Sequence, residues 1–283
     1  MNLAINAGML PLFHLIGLPT DINSSFERGA ASGPMAIREA LWSDRGNLSC
    51  ENGMEVGVDF VLEDLGDLPL TEDTSSDDIE ISNAVAKSLA AGAVPLLLGG
   101  DHAVTVPTMS AIYAHHGPVS ILHFDAHPDL YDDFDDNPRS HASPFARIME
   151  AGYAHRLVQV GIRTLTRHCR EQAERFGVEI IQMPHFTPEA VPVLSGPLFI
   201  SLDLDGIDPS QAPGVSHPEP GGLSVRDVLN VLDRISGTIV GADIVELNPS
   251  RDIANVTAIL ATKLVREIAA RATQLNYHKE PTS

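Results

Sequence analysis

Three short segments carry aspartate and histidine at spacings suited to holding divalent cations. Asp125-Ala126-His127-Pro128-Asp129 sets three potential ligands at alternate positions, Asp203-Leu204-Asp205 sets two, and His102 follows Gly99-Gly100-Asp101. In an extended chain alternate side chains share one side, so Asp125, His127 and Asp129 should face one way, as should Asp203 and Asp205. Carboxylates gathered at the end of a buried strand are costly without a cation. A capping role explains Asp101, or either Asp203 or Asp205, but not both of the latter. Four Asp and two His with no thiolate form an oxygen-rich set that suits Mn(II), with Co(II), Ni(II), Fe(II) and Zn(II) left open by ligand type. Six ligands exceed the needs of one ion, which favours an Asp-bridged pair of ions that activates water.

Each segment follows directly on an apolar run, at 94–98, 119–124 and 198–202. Further runs at 13–18, 157–162, 178–182 and 238–245 complete seven candidate strands, most of them continuous as buried parallel strands are. Amphipathic stretches alternate with them, at 33–42, at 78–91 with Asp77 or Asp78 as cap, and after Pro107, Ser143, Ser224 and Val256. This is the rhythm of β-α units around a parallel sheet, in which ligands bind beyond the carboxyl ends of the strands. The glycines at 99 and 100 are expected to allow a tight turn there. The acidic stretch 71–78 reads as a solvated loop, and 277–283 as a frayed tail.

The 283 residues carry 18 Lys+Arg against 38 Asp+Glu, a formal charge of -20. That field repels phosphate backbones and anionic lipids, so nucleic acid and membrane surfaces are not expected partners. Two distant cysteines, Cys50 and Cys169, give neither a disulfide framework nor a zinc cage, and the apolar stretch 9–18 is broken by Pro11, His14 and Gly17. A soluble cytoplasmic protein of one domain is the expectation. Cys169 lies among Arg167, His168 and Arg170, which could lower a thiol pKa, although a bland surface helix accounts for it as well. His115-His116 before Gly117 reads as a helix end, not a ligand pair.

The motifs GGDH (99–102), DAHPD (125–129), SHASPFARIME (140–150), DLDGIDP (203–209) and ELNP (246–249) resemble, in order and spacing, the ureohydrolase family of arginases and agmatinases. The likeness runs from Asn23-Ser24-Ser25-Phe26 to the last helix. Residues 140–163, 212–224 and 248–252 have the character of plant-type arginases. The resemblance implies a three-layer α/β/α sandwich with a mainly parallel central sheet, one domain over 1–283, and a homo-oligomer, trimeric or hexameric.

It also implies two Mn(II) per chain. His102, Asp125, Asp129 and Asp203 would hold one, and Asp125, His127, Asp203 and Asp205 the other, with Asp125 and Asp203 bridging. The implied reaction is attack of a hydroxide shared by the ions on a guanidinium carbon, releasing urea and an amine. Asp129 would orient the nucleophile and accept its proton, Glu246 would grip the guanidinium, and His141 would pass a proton to the departing amine. Without the resemblance, Glu246 reads as a capping carboxylate and His141 as a polar residue at a helix start.

L-arginine is the first substrate expectation. Agmatine, 4-guanidinobutyrate and guanidine are alternatives, and a non-catalytic metal-binding regulator or a deacetylase-type amidohydrolase are readings from other classes. Substrate contacts are expected from Glu246, His141, Tyr131, Asn137 and His217. Tyr131 stands where animal-type arginases carry an Asn that helps hold the amino acid carboxylate, so that recognition does not transfer. The loop 132–136 is acidic, which would suit a cationic substrate end, and Arg139 could face either a substrate carboxylate or its neighbouring Asp residues.

Overall fold

A computed structural model describes residues 10–277. In chain order its elements are β1 (Leu12–Leu18), α1 (Gly33–Leu41), β2 (Val61–Asp67), α2 (Thr74–Ala90), β3 (Val94–Gly99), α3 (Thr105–His116), β4 (Val119–Phe124) and α4 (Pro144–Glu150). There follow β5 (Ala154–Ile162), α5 (Arg167–Phe176), β6 (Glu179–Gln182), β7 (Pro197–Asp203), α6 (Val225–Leu232), β8 (Thr238–Val245) and α7 (Val256–Tyr277). The strands form one parallel sheet in the order β2-β1-β3-β8-β7-β4-β5-β6.

Every residue of β3 and β4 is buried, because helices cover both faces of the sheet. Side chains along the strands divide by parity between two cores. Leu96, Leu98, Leu122, Phe124, Ile200 and Leu202 pack with Ile37 of α1, Val228 of α6 and Leu264 of α7. Leu97, Ile121 and Phe199 pack on the other face with Ile81 of α2, Met109 of α3, Phe145 of α4 and Cys169 of α5. The result is the expected three-layer α/β/α sandwich.

Several boundaries differ from expectation. Strand β2, Val-Leu-Glu-Asp-Leu-Gly-Asp, was not expected, because as an edge strand it alternates exposed and covered positions and carries charges where a central strand would not. Helix α2 begins inside the stretch expected to be a loop: Asp73, not Asp77 or Asp78, accepts the Ser76 N–H at 2.9 Å as its cap. Asp77 folds back to accept the N–H groups of Thr71 and Glu72 at 2.8 and 3.0 Å, so the acidic run has an ordered start. Cys169 lies on α5 but faces the core, and burial raises its thiol pKa instead of the basic neighbours lowering it. His115 and His116 do end α3 before Gly117 (φ 75°), yet burial draws His116 down to about 4, so the dipole does not keep it charged. Tyr277 closes α7; residues 278–283 of the expected tail, and Met9 before β1, lie outside the described residues.

Candidate active site

The four central strands β3, β8, β7 and β4 are consecutive neighbours, and the segment after each contributes to one cluster. His102 follows β3, Glu246 follows β8, Asp203 ends β7, and Asp125, His127 and Asp129 follow β4. Parallel register aligns these ends, with Phe124 beside Leu202 and Asp203 beside Val245. Neighbouring strands are about 4.8 Å apart, so side chains from adjacent ends can share a ligand.

The local conformations differ from the extended alternation read from spacing. Asp203 ends its strand and accepts the Asp205 N–H at 2.8 Å, which starts a single 3-10 turn, Leu204–Gly206. Asp125 likewise accepts the His127 N–H at 2.6 Å, and Asp129 turns back through a left-handed backbone (φ 50°). Turns, not strands, bring the carboxylates together. Glu246 is also left-handed (φ 67°), and such positions persist where surrounding structure fixes them.

Glycine serves this packing by lacking a Cβ. Gly100 is needed for close approach rather than for a positive φ: a Cβ there would stand 1.8 Å from the Thr20 carbonyl oxygen. A Cβ on Gly206 would stand 2.7 Å from the Asp125 backbone nitrogen. Gly206→Ala should therefore lower stability by about 1–3 kcal/mol and weaken metal retention. Thermal unfolding with and without added Mn(II) checks it, and an unchanged melting temperature would refute the crowding.

His102 Nδ1 is buried without a hydrogen-bond partner, yet three carboxylate oxygens face it, from Asp129 at 3.1 Å, Asp203 at 3.2 Å and Asp125 at 3.4 Å. Its other nitrogen, Nε2, lies 2.9 Å from Ser201 Oγ, which donates to Asp243 Oδ1 at 2.7 Å. Thr105 Oγ1 donates to the other Asp243 oxygen at 2.8 Å. The second half of the cluster is His127 Nδ1, 3.0 Å from Asp205 Oδ2 and 3.4 Å from Asp125 Oδ1. An unpartnered imidazole nitrogen aimed at buried carboxylates is a coordination shell by chemistry, and the donor set fits a divalent cation. The electrostatics agree: burial and the Asp205 and Asp125 charges push Asp203 well above its ordinary pKa, and burial with Asp125 lifts Asp205 to about 6. Two close groups of potential ligands are His102, His123 and Asp125, and Asp125, His127 and Asp205.

His123 was not anticipated, because it sits inside an apolar run. Gln159 defines its role. The Gln159 Nε2 donates to the Pro128 carbonyl at 2.6 Å and lies 3.1 Å from His123 Nδ1, so that nitrogen is an acceptor. Nε2 of His123 then carries the proton and donates to Asp125 Oδ2 at 2.8 Å. His123 is thus a prop for Asp125, not a free ligand, and burial lowers its pKa.

A cavity of about 260 Å³ opens onto the cluster, lined by Asp129, Asp203, Asp205, His127, His141 and Glu246 on its inner side. Glu246 Oε1 accepts the backbone N–H of His102 at 2.9 Å and faces His141 Nδ1 at 2.8 Å. Burial opposes charge on His141, but the Glu246 carboxylate outweighs it and raises the imidazole to about 9. Ser25, Tyr131, Phe134, Thr164, Thr166 and His217 form the outer wall. Tyr131 stacks on His168 with ring centroids 5.4 Å apart.

Among the expected substrate contacts, Asn137 is absent from this wall. Its amide donates to Asn23 Oδ1 at 3.2 Å and its backbone pairs with Phe134, so it closes the loop instead. Arg139 does not line the cavity and its side chain pairs with none of the loop Asp residues; instead Asp78 of α2 binds it through both oxygens at 2.6 and 2.8 Å. Among the described residues the cavity wall therefore contains neither Lys nor Arg. Arg163, also not singled out in the sequence, clamps the loop after β7 by donating to the carbonyls of Asp205 at 2.7 Å and Glu219 at 2.6 Å.

The sandwich, with carboxylates and imidazoles gathered at its strand ends, is that of a metal-dependent hydrolase of the ureohydrolase class. The model of the Arginase family matches residues 12–270, and the chain belongs to that family. Arginase 1, mitochondrial, of Oryza sativa subsp. indica is 48% identical over 91% of this chain and 80% of its own length. Agmatinase, mitochondrial, of Gallus gallus is 35% identical over 89% of this chain and 78% of its own length. The solved structure of arginase from Medicago truncatula superimposes with a TM-score of 0.88 at 44% identity, covering 94% of this chain and 88% of that one.

The cytoplasmic expectation is corrected by these relatives. Plant arginases of Medicago truncatula, Oryza sativa and Arabidopsis thaliana are named as mitochondrial, and a second one of Arabidopsis thaliana as chloroplastic and mitochondrial. Cysteine content, on which that expectation leaned, reports redox compartment and does not separate a reducing cytosol from a reducing organelle interior. Among the described residues, no helix is long and apolar enough to cross a membrane.

Proposed function

We propose that this chain hydrolyses L-arginine to L-ornithine and urea in an organelle, as a single domain within a trimeric or hexameric assembly. Two Mn(II) ions would be held by His102, Asp125, Asp129 and Asp203 and by Asp125, His127, Asp203 and Asp205. The chemistry such ions supply when bound is the activation of water at neutral pH.

The observation that carries the reading is Glu246. It is a buried carboxylate on the cavity wall beside the ligand cluster, and both bonds it accepts fall on Oε1. Oε2 keeps its lone pairs for a guanidinium N–H, a charge-assisted bond of the strong kind. His141, 2.8 Å from the same carboxylate, would hold the proton that the leaving amine needs. Asp129 borders both the ligand cluster and the cavity, where it can orient the attacking water. The greater identity to a relative named arginase than to one named agmatinase supports L-arginine. The cavity wall favours agmatine as a second reading, since it offers a substrate carboxylate hydroxyls and imidazoles but no Lys or Arg.

Urea release by Mn(II)-loaded protein, with L-arginine, agmatine, 4-guanidinobutyrate and guanidine compared as kcat/KM, tests the proposal. L-arginine is expected to lead by about tenfold or more, equivalent to about 1.4 kcal/mol. A lead for agmatine would transfer the reading to the amine substrate, and urea from none of the four would sink the hydrolase reading.

A further inference from the structure

Arg163, the first residue past β5, touches two turns of the ligand cluster at once. Its backbone N–H donates to the Ala126 carbonyl at 3.0 Å, joined there by the Thr164 N–H at 3.2 Å and the Thr164 hydroxyl at 3.1 Å. That carbonyl belongs to the turn carrying Asp125 and His127. The Arg163 side chain reaches the other turn, where Nη2 donates to the Asp205 carbonyl at 2.7 Å and Nη1 to the Gly206 carbonyl at 3.2 Å. Nη1 also donates to the Gly161 carbonyl at 3.1 Å, and Nε and Nη2 donate to the Glu219 carbonyl at 3.0 and 2.6 Å.

A guanidinium has five N–H groups, and these five bonds all end on backbone carbonyls. None is spent on a carboxylate, so the group supplies geometry instead of an ion pair. Asp205 is where that geometry matters. Asp125 and Asp203 press on it with like charge, and its own side chain is met by the Ala126 N–H at 3.2 Å and by His127 Nδ1 at 3.0 Å. Beyond it the chain runs into the connecting segment 206–223, tied back by the Leu223 N–H on the Gly206 carbonyl at 3.1 Å.

We propose that Arg163 is a positioning residue for one ion of the pair, the ion that Asp205 and His127 would hold, because its planar fork fixes the backbone that aims the Asp205 carboxylate; the inference rests on the two-ion reading above. The other ion would take His102 and Asp129 as its unshared ligands, and the Arg163 side chain donates to neither. Field and geometry then have opposite signs. Arg163 is a positive charge beside a cation site, so loss of its field alone would tighten both ions. Loss of its hydrogen bonds frees Asp205 and loosens one.

The full chain loaded with Mn(II), dialysed at graded free Mn(II) and counted for ions retained per chain, reads the two ions separately. In Arg163→Met one ion should leave at free Mn(II) about 10- to 100-fold higher than in the parent, the range for losing an outer support to a metal ligand, while the other shifts by less than about threefold. Arg163→Lys keeps the charge but not the fork, and should weaken the same ion by about fivefold or more. Asp205→Asn weakens that ion directly, so adding Arg163→Met to it should shift release by less than about threefold further, as action through Asp205 requires. Ions held as in the parent or more tightly, both ions weakened alike, a lysine variant equal to the parent, or full additivity with Asp205→Asn each overturn the role of Arg163 and leave the two ions standing. A parent protein that retains no more than one ion overturns both.

Discussion

Asp203→Ala is expected to lose its metal and its turnover together. Asp203 Oδ2 faces His102 Nδ1 at 3.2 Å and its Oδ1 holds the turn that delivers Asp205, so the substitution removes a shared ligand and releases its neighbour. Loss of an outer support to a metal ligand costs about 10- to 100-fold in affinity, and loss of a ligand common to both ions should cost more. Metal content measured after gel filtration should be fewer than one Mn per chain against an expected two for the parent, and urea release should fall to the detection limit. An Asp203→Ala protein with two ions and ordinary turnover would end the dinuclear assignment.

The second large effect belongs to Glu246→Gln. The amide retains an acceptor for the His102 N–H but removes the charge facing His141 and the guanidinium. Breaking a buried charge pair costs about 3–5 kcal/mol, so kcat/KM should fall by about two to four powers of ten with metal content unchanged. A pH effect accompanies it. The Glu246 charge is what raises His141 to about 9 against the effect of burial. Removing that charge lowers the imidazole pKa, so its protonated form is lost at a lower pH and the alkaline limb of the rate should move down. A loss smaller than tenfold, or an unmoved limb, would remove Glu246 from the substrate site.

The cluster was legible because Asp and His gathered so densely at three strand ends serve little besides cation binding, although the route by which these residues converge was not. Spacing suggested extended segments with one polar side; the chain instead turns at Asp125 and Asp203, and Asp129 is left-handed. Such turns are set by side-chain oxygens accepting nearby backbone N–H groups, which periodicity does not encode. Strand β2 escaped notice because an edge strand lacks the doubly buried pattern, and the start of α2 because an acidic capping run has the composition of a loop. His123, Ser201 and Asp243 lay hidden inside apolar strands, where a lone polar residue gives no sign of its partner. Arg139 and Asn137 were read from a loop whose contacts are made to distant α2 and to Asn23. Those contacts depend on tertiary placement, which local sequence does not fix.

The site is divided between two kinds of backbone. The proposed metal ligands and Glu246 stand at or just beyond the ends of four adjacent strands, where register and two packed cores allow little displacement. The outer wall, Ser25, Tyr131, Phe134, Thr166 and His217, comes from connecting segments. Loops accept substitution and insertion far more readily than central strands do. Descendants of such a scaffold can therefore exchange one guanidino compound for another by remodelling the rim, while inheriting the hydrolytic centre unaltered. Substrate preference and reaction type are separately heritable traits in this architecture.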